Sequence, residues 1–463
     1  MALGKRKEVS QPLFISTVDV PGFRPNPFYD TVNKVLSAHQ FDPFVEKLCA
    51  KFYRDNVGRP GLAPGVYFRC LLVGYFEGLD SERGIAWRCA DSKSLGLFLG
   101  YPLDESTPDH STISRTRRLI DLETHQEVFG YVLKILANHE LIEGKTIGVD
   151  STTLEANAAL RSIVRRDNGQ GYQDFLINLA KQSGIETPTR EDLAKLDRKR
   201  KNKGSNDDWQ NPHDPDAKIT KMKDGTTHLG HKAEHAVDMA SGVILAVNVC
   251  DAAVGDTKTI CDTINQASAN LRAIEDDDRV SGKISDQWAS ETVADKGYHS
   301  NDTMRDLDEM QLRSYISEPD RGRRNWMDKE DGLDARDATY ANRRRIKGDR
   351  GKGLMRKRGE LLERSFAHNY ETGAMRRLHL RHRDNIAKRV LIHTAGFNLG
   401  LLMRVKYGLL KPRRLSDAVD CTLMGLLLAW RWLVNTVACL DDRRHAMWIG
   451  SDRMTASLEL QAA

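Results

Sequence analysis

Hydrophobic residues recur at helical spacing between residues 60 and 140, and this pattern predicts a run of short helices. One helix begins at Pro64 and has apolar positions at Val66, Phe68, Leu71, Leu72 and Tyr75. The last helix of the run follows the turn at 107–111 and carries Arg115, Arg117 and Arg118. Such a run is typical of a helix-turn-helix DNA-binding module, although a plain helical packing domain has the same periodicity. The preceding residues 1–60 predict an extended arm that leads into a helix near 41–54.

From residue 144 onwards the pattern changes to short apolar strands separated by turns and helices. The predicted strands cover residues 146–152, 231–238, 243–249, 291–295 and 313–317. Helices are predicted after Gly255, after Ser300, and over residues 354–370 and 384–405. Residues 160–225 are polar and charged and predict an insertion made of a helix and a loop, whereas 319–352 predict a basic connection.

This order of elements predicts an α/β protein. We expect a ribonuclease-H-like mixed sheet with flanking helices, preceded by an all-helical N-terminal domain and interrupted by the helix/loop insertion. The predicted divisions are an N-terminal arm (1–60), a helical DNA-binding domain (60–140), a catalytic domain (144–405, with the insertion at about 160–225) and a helical C-terminal segment (406–463). The apolar stretch 421–440 contains Arg431 and Asn435, so a buried helix is favoured there over a membrane span.

The charge of the chain is concentrated in one block. The formal net charge of the 463 residues is only +5, yet residues 341–389 contain sixteen lysines and arginines against five acids. A basic block inside a near-neutral protein indicates a polyanionic partner, whereas a short charged run is usually a solvated face. The seven cysteines are scattered without a paired motif, which favours reduced thiols in a cytoplasmic protein.

Three acids occupy positions suited to metal chemistry. Asp150 ends the first predicted strand, Asp295 ends a later one, and Glu363 lies on the arginine-rich helix. Acids on neighbouring strand ends and an adjacent helix can converge on two Mg²⁺ ions, which prefer hard oxygen ligands and stabilise both oxygens of a phosphoryl transfer at a separation of about 3.5–4 Å. A lone Asp at a strand end is more often a turn residue. The residues around each acid therefore determine whether a catalytic role is favoured for it.

Those surroundings resemble the three acidic blocks of bacterial insertion-sequence transposases with a DDE catalytic domain. The blocks are Gly148-Val149-Asp150-Ser151-Thr152, Ala294-Asp295-Lys296-Gly297-Tyr298 and Glu363-Arg364-Ser365-Phe366-Ala367-His368. The segments 214–218, 230–235, 316–319, 375–377 and 395–398 are also similar to that family. The resemblance covers about residues 60–405.

The resemblance implies a function as well as a fold. It implies binding of terminal inverted repeats in double-stranded DNA, hydrolytic nicking, and attack of a 3′-hydroxyl on target DNA, with Asp150, Asp295 and Glu363 as catalytic and Mg²⁺-binding residues (Mn²⁺ being an alternative ion). A homodimer on DNA, in the bacterial nucleoid, follows by analogy. The predicted phosphate-binding cations are Arg343, Arg344, Arg345, Lys352, Arg356, Lys357, Arg358, Arg364, Arg376 and Arg377, of which Arg364 is expected nearest the scissile phosphate.

The third acid has a rival. Many relatives carry Tyr, Arg and Lys at fixed spacings around the final Glu, whereas here Arg356 and Gly359 precede Glu363 at those places and Tyr370 follows it. Glu360 lies three residues earlier, on almost the same helix face. The Arg-Ser-Phe sequence after Glu363 favours the later residue.

Other residues permit further interpretations. His228, His231 and His235 have zinc-like spacing, but strand alternation separates His228 from the other two, so a zinc site is not favoured. Trp209 and Trp326 are predicted in polar loops, where either could stack on an unpaired base or pack on the surface. There is no phosphate-loop motif, so no nucleotide cofactor is predicted.

Two alternatives to a transposase remain open at the level of sequence. A metal-dependent nuclease would use the same acids, cut DNA and never join it. A non-catalytic transposase derivative would only bind DNA, although the presence of all three acids argues against it.

Overall fold

The structure is a computed structural model that describes residues 25–412, except 55–57, 59, 103, 201–203, 223–224, 321, 323–325 and 327–331, together with residues 4 and 5. The predicted C-terminal helix at 421–440 therefore lies outside the described residues, as do Cys421 and Cys439. Residues up to Leu409 form one compact unit. No helix in the described ranges is both long and apolar enough to cross a membrane.

Seven α-helices occupy the described residues before position 140. They are α1 (Pro27–Ala38), α2 (Phe41–Cys49), α3 (Pro64–Phe76), α4 (Glu82–Asp91), α5 (Lys93–Leu99), α6 (His110–Leu119) and α7 (Leu122–Asn138). Helix α1 replaces part of the predicted extended arm, because Asn26 caps its first turn and Pro27 is pre-organised for the first helical position. Asp109 caps α6 through the backbone amides of Ser111 and Thr112.

A mixed sheet follows, as the sequence predicted, but it has six strands, because residues 218–221 of the predicted insertion form an additional one. Strand β1 (Thr146–Glu155) pairs in parallel with β7 (Glu291–Ala294), which pairs in parallel with β8 (Arg313–Ile316). On its other side β1 pairs antiparallel with β5 (Thr227–Asp238), and β5 also pairs with β4 (Lys218–Lys221) and β6 (Ile244–Asp251). The sheet order is β4-β5-β1-β7-β8, with β6 also on β5, so β1 is central and its neighbours cover both edges.

The insertion after β1 contains more regular structure than one helix. It holds the short strand pair β2 (Val164–Arg165) and β3 (Trp209–Gln210), and helices α8 (Tyr172–Gln182) and α9 (Arg190–Lys199). Trp209 is the centre of its small core, with ring contacts to Tyr172 and Phe175. This burial contradicts the hypothesis that Trp209 stacks on a DNA base, because the indole is 1% exposed.

Five helices flank the sheet. They are α10 (Asp256–Glu275), α11 (Asn301–Glu309), α12 (Gly332–Lys347), α13 (Asp349–Phe366) and α14 (Arg383–Tyr407). The prediction of a basic connection over residues 319–352 is wrong for its second half, because α12 and the start of α13 form helices there. Asn342 explains why α12 is held to the sheet, since its amide side chain hydrogen-bonds both backbone groups of Ile316 on β8.

One hydrophobic core extends from α1 to α14 and includes the central strands. Helix α14 packs on α3 and α7 on one side and on β6 on the other. Its polar residues Arg389 and Asn398 are buried, and they donate to backbone carbonyls of Leu71, Leu79 and Ile244. The N-terminal helices are thereby fixed to the sheet.

Candidate active site

The register of the central strands places Asp150 and Asp295 at the same level. Gly148 on β1 is paired with Val293 on β7, and each Asp follows its paired residue by two positions. Because the strands are parallel, both acids lie at the same level of the sheet, directly after β7 and within β1, which continues to Glu155. Their charges interact, since the Asp295 carboxylate contributes to raising the pKa of Asp150. The structure therefore brings together two of the three acids that the sequence singled out.

Asp150 is half-buried and electrostatically strained. Burial raises the pKa of its carboxyl above the usual value, and the charge of Asp295 acts in the same direction. The Ser151 amide, 2.8 Å from Oδ1, and the Arg358 guanidinium, 2.9 Å from Oδ2, offset only part of this rise. A further cation at this place would relieve the remaining repulsion.

Asp295 is held by the turn that follows β7. Its Oδ1 accepts the amide hydrogen of Gly297 at 2.8 Å, which orders the short turn Lys296–Tyr298. Gly297 is closely surrounded, because a Cβ there would lie 3.0 Å from Asp295 Oδ1 and 3.3 Å from Asp256 Oδ2. The glycine thus allows a second carboxylate, that of Asp256, to lie beside the turn.

Asp256 is a fourth acid that the sequence argument did not assign to the site. It begins α10, and its Oδ1 accepts a hydrogen bond from Ser151 Oγ at 2.9 Å and an ion pair from Lys232 Nζ at 3.2 Å. Ser151 directly follows Asp150, so Asp256 is joined to the strand that carries the first acid. The sequence signal for it is the helix predicted after Gly255, which indicates a helix start at Asp256 but not a site residue.

Strand β5 supports this arrangement with alternating side chains. Lys232 and Glu234 point to the α10 side of the sheet, whereas His235 points to the α13 side. The buried Glu234 accepts from Tyr298 Oη at 2.8 Å and from Thr259 Oγ1 at 2.8 Å. Glu234 therefore joins the turn after Asp295 to the helix that begins with Asp256.

On the opposite face, His235 fixes helix α13. Its two ring nitrogens hydrogen-bond with Ser365 Oγ at 3.0 Å and Tyr370 Oη at 2.6 Å. Burial lowers the pKa of His235 to about 3, so the imidazole is neutral at ordinary pH. His235 is the residue of β5 paired with Asp150, and this contact therefore positions α13 at the level of the first acid.

The histidines with zinc-like spacing lie in three different environments. His228 lies 3.7 Å from Glu155, the buried His231 contacts Asp214 at 3.2 Å, and His235 contacts α13. The three imidazole rings therefore do not share one set of neighbours.

Glu363 lies on α13 but does not contact the two aspartates. It is exposed and has no hydrogen bond or ion pair among the described residues. Its direction follows from its neighbours: Leu362 lies on β1 near Gly148, and Leu361 lies against Gly242 at the hairpin tip. Successive helical residues are separated by about 100°, so Glu363 is on the side of Leu362 opposite to Leu361.

That side of α13 faces the end of the sheet where Asp150 lies. The hairpin tip follows Asp238, which is paired with Ile147, so Leu361 marks the beginning of β1 and Glu363 is directed toward the later residues. Glu360 is rotated about 60° further from the sheet than Glu363. The helix geometry thus favours Glu363 over Glu360 as an acid directed toward Asp150.

The predicted phosphate-binding cations fall into two groups. Four are exposed and have no carboxylate closer than 3.8 Å in the described ranges: Arg344, Lys352, Arg356 and Lys357. Five others have partners within the protein, and one of these is Arg358, which contacts Asp150. Arg343 donates two hydrogen bonds to Glu318, and Arg345 donates to the carbonyl and the hydroxyl of Ser314. Arg376 donates to Glu371 and Thr152, and Arg377 lies 3.5 Å from Glu155.

Arg358, rather than Arg364, is the arginine in contact with the first acid. Arg364 is half-buried and lies near Gly242, so it is at the hairpin end of α13. Arg358 is one helical turn before Leu362 on the face that lies on β1, which places its guanidinium against Asp150. Sequence spacing around Glu363 did not distinguish these two arginines.

A separate group of potential metal ligands lies at the start of α14. Among the described residues, Asp214, Asp216 and His382 are the group whose ligand atoms all lie within 4.8 Å of one another. Asp214 Oδ1 accepts the amide hydrogen of His382, and Asp216 Oδ2 accepts that of Arg383. These carboxylates therefore satisfy the first amides of a helix, which is a structural role.

Two family models match the chain. The model described as "Transposase domain (DUF772)" matches residues 22–119, and the model described as "Transposase DDE domain" matches residues 174–399. The first match covers helices α1–α6, and the second includes Asp295 and Glu363 but begins after Asp150. No curated protein and no solved structure matches the chain.

Proposed function

Because the chain belongs to the DDE transposases of insertion sequences, we propose that it binds the terminal inverted repeats of its element, cleaves the DNA there, and joins the 3′ ends to target DNA. The catalytic part has a ribonuclease-H-like fold in this proposal. The order of the strands supports it, since a central β1 lies between two parallel strands and a long antiparallel one. The helices before residue 140 form the DNA-binding part.

Asp150, Asp295 and Glu363 hold the catalytic metal ions. The observation that carries this assignment is the register of β1 and β7, which brings the first two carboxylates to one level with interacting charges. The donor set suits Mg²⁺, because all its donors are carboxylate oxygens and because the strained pair gains from an added cation. When bound, two Mg²⁺ ions supply charge neutralisation for the attacking and leaving oxygens of the phosphodiester.

The remaining residues of the site position these acids. Arg358 holds one oxygen of Asp150, and the Ser151 amide holds the other, so the carboxylate has a fixed orientation. Lys232 neutralises Asp256, which would otherwise add a third charge to the Asp150–Asp295 pair. The exposed Arg356 on α13 lies seven residues before Glu363, on almost the same side of the helix, and is placed to bind DNA phosphates, whereas Lys357 is about 120° away around the helix.

Joining two DNA ends requires two sites, and we therefore expect a homodimer on DNA. A nuclease would use the same acids, and the products distinguish the two functions. Duplex DNA carrying the element's ends is incubated with Mg²⁺, and both the nicked and the joined strands are measured. Nicking without joined product would favour the nuclease.

The third acid is tested by two matched variants on one helix. Glu363→Gln is expected to abolish cleavage while DNA binding is retained, because Gln keeps the shape of the side chain but loses the anionic ligand. Glu360→Gln is the control and should cleave within a few-fold of the unsubstituted protein. The opposite pattern would assign the third metal ligand to Glu360.

A further inference from the structure

An arginine-lined groove separates helix α6 from the segment that leads into α14. This α6 groove encloses about 630 Å³, and its lining includes Arg117, Arg118, Asn157, His379, Arg381 and His382. No carboxylate is among the residues that line it. A groove bordered by cations without acids has the electrostatic character of a polyanion site.

Two of the three arginines are available to a ligand. Arg117 is buried and forms an ion pair with Glu82 at 2.6 Å and a hydrogen bond with Asn385 at 2.6 Å. Arg118 and Arg381 are exposed and have no carboxylate partner in the described ranges. In the described ranges, the Arg118 guanidinium has one hydrogen-bond contact, with Ser114 Oγ at 3.5 Å. Arg381 donates from Nε to the Asn157 carbonyl at 3.1 Å, so its two terminal nitrogens can still donate to a ligand.

Acidic residues lie near the rim of the α6 groove and limit the extent of its positively charged surface. His379 is hydrogen-bonded to Asp80 at 2.9 Å, and Asp384 is exposed at the start of α14. Asp216 is committed to the Arg383 amide. The available positive charge is therefore confined to Arg118 and Arg381, on the two walls of the groove.

The α6 groove is continuous with the strand that carries Asp150. The segment 376–378 runs alongside the end of β1, since the Glu155 amide donates to the Arg376 carbonyl and the Leu378 amide donates to the Glu155 carbonyl. The Arg376 guanidinium binds Thr152 Oγ1 and the Thr153 carbonyl, both at 2.9 Å. Beyond Glu155, a second cavity of about 330 Å³ shares Asn157 and Arg381 with the α6 groove.

The spacing along this path suits a DNA duplex. Asp150 and Glu155 are separated by five strand residues, which corresponds to about 16 Å. One base pair occupies 3.4 Å of the helix axis, so this length spans about five base pairs. A duplex with its scissile phosphate at Asp150 and its axis along β1 would present later phosphates to the α6 groove.

We propose that the α6 groove binds the phosphate backbone of the cleaved duplex, at least about five base pairs from the scissile bond, through Arg118 and Arg381. Arg117 is a positioning residue that fixes α6 to α4 and α14 through Glu82 and Asn385. The proposal rests on the proposed transposase function and names the surface that holds the DNA flank.

The test measures DNA affinity as a function of salt concentration without divalent metal, so that no cleavage occurs. The full chain is titrated with duplex DNA carrying the element's ends, and Arg118→Gln, Arg381→Gln and the double variant are compared with it. Each lost phosphate contact should reduce the slope of log affinity against log salt by about 1. Arg272→Gln is the matched control, because Arg272 is an exposed helical arginine on α10 without an ion pair among the described residues.

A second variant separates loss of charge from loss of structure. Arg118→Lys keeps the charge and should retain most of the salt slope, and unfolding midpoints of all variants should agree with that of the unsubstituted protein. Unchanged affinity and slope in the double variant would overturn the groove proposal. If the double variant binds DNA unchanged but Asp150-dependent cleavage persists, the groove proposal fails and the transposase function stands. If the salt slope falls in the double variant but the unsubstituted protein never cleaves DNA, the groove proposal stands and the proposed catalytic function fails.

Discussion

The molecule contains two groups of neighbouring carboxylates, which differ in how far hydrogen bonds and ion pairs compensate their negative charge. In the first group, Asp150 lies beside Asp295, and burial raises the pKa of Asp150 despite contacts to Ser151 and Arg358. In the second, burial also acts to raise the pKa of Asp214, but hydrogen bonds from His231 and from the His382 amide outweigh it and lower the pKa.

The difference shows that closeness of ligand atoms does not identify a metal site. The ligand atoms of Asp214, Asp216 and His382 all lie within 4.8 Å of one another, yet both carboxylates accept backbone amides at the start of α14, and Asp214 also contacts His231. Burial is the main reason that the pKa of Asp150 stays raised, and the charge of Asp295 adds to the rise. We therefore expect an added divalent cation to stabilise the first group more than the second.

The largest effect that separates the groups is on stability. Asp214→Ala should lower the free energy of unfolding by about 2–4 kcal/mol, because it removes a buried carboxylate and leaves His231 and the His382 amide unsatisfied. Asp295→Ala, which removes only the bond to the Gly297 amide, should remain within about 1 kcal/mol of the unsubstituted protein. Denaturant unfolding measures both. Equal losses would remove the distinction between the two groups.

A second prediction concerns metal removal and addition. Mg²⁺ should raise the thermal unfolding midpoint of the metal-free protein, since a ligand that binds only the folded state stabilises it. The increase should disappear in Asp295→Asn and persist in Asp216→Asn. Loss of the increase in Asp216→Asn instead would transfer the metal to the group at the start of α14.

The smallest predicted effect is a pH dependence. The folded-state pKa of Asp214 is lowered, so its stabilising contribution is present above the unfolded-state pKa of about 3.9 and is lost as the pH falls toward the folded value. The stability difference between the unsubstituted protein and Asp214→Ala should therefore narrow below about pH 4. Unfolding curves at several pH values test this, and a difference that widens on acidification would contradict it.

The parts of the site that follow from strand ends were predictable from sequence. The prediction that Asp150 ends its strand is wrong, because β1 continues to Glu155, but Asp295 does follow β7 directly. The two acids still lie at one level, because their strands are parallel and paired. The contributions of Asp256, Lys232 and Glu234 were not predictable, because they depend on the packing of α10 against β5 and not on a local pattern. The choice of Arg358 over Arg364 likewise depends on how α13 crosses β1.

The fold likewise has parts that a local sequence pattern predicts and parts that depend on packing between distant segments. Alternating or periodic apolar residues predicted five of the six strands of the mixed sheet, and α14 to within two residues at each end, whereas β4 lay in the predicted insertion and was missed. Helix α12 was missed, because its sequence is dominated by charged residues and is held to the sheet by Asn342 instead of by a broad apolar face. Helix α1 was missed because Pro27 and the aromatic residues after it suggested an extended arm.

The central claim is that Asp150 belongs to a metal-dependent site that both cleaves and joins DNA. The most direct measurement is Mg²⁺-dependent cleavage and strand joining on DNA carrying the element's own ends, with the unsubstituted protein beside Asp150→Asn. The account predicts that the unsubstituted protein forms both products and that Asp150→Asn forms neither while it still binds DNA. Cleavage and joining that persist in folded Asp150→Asn would contradict it.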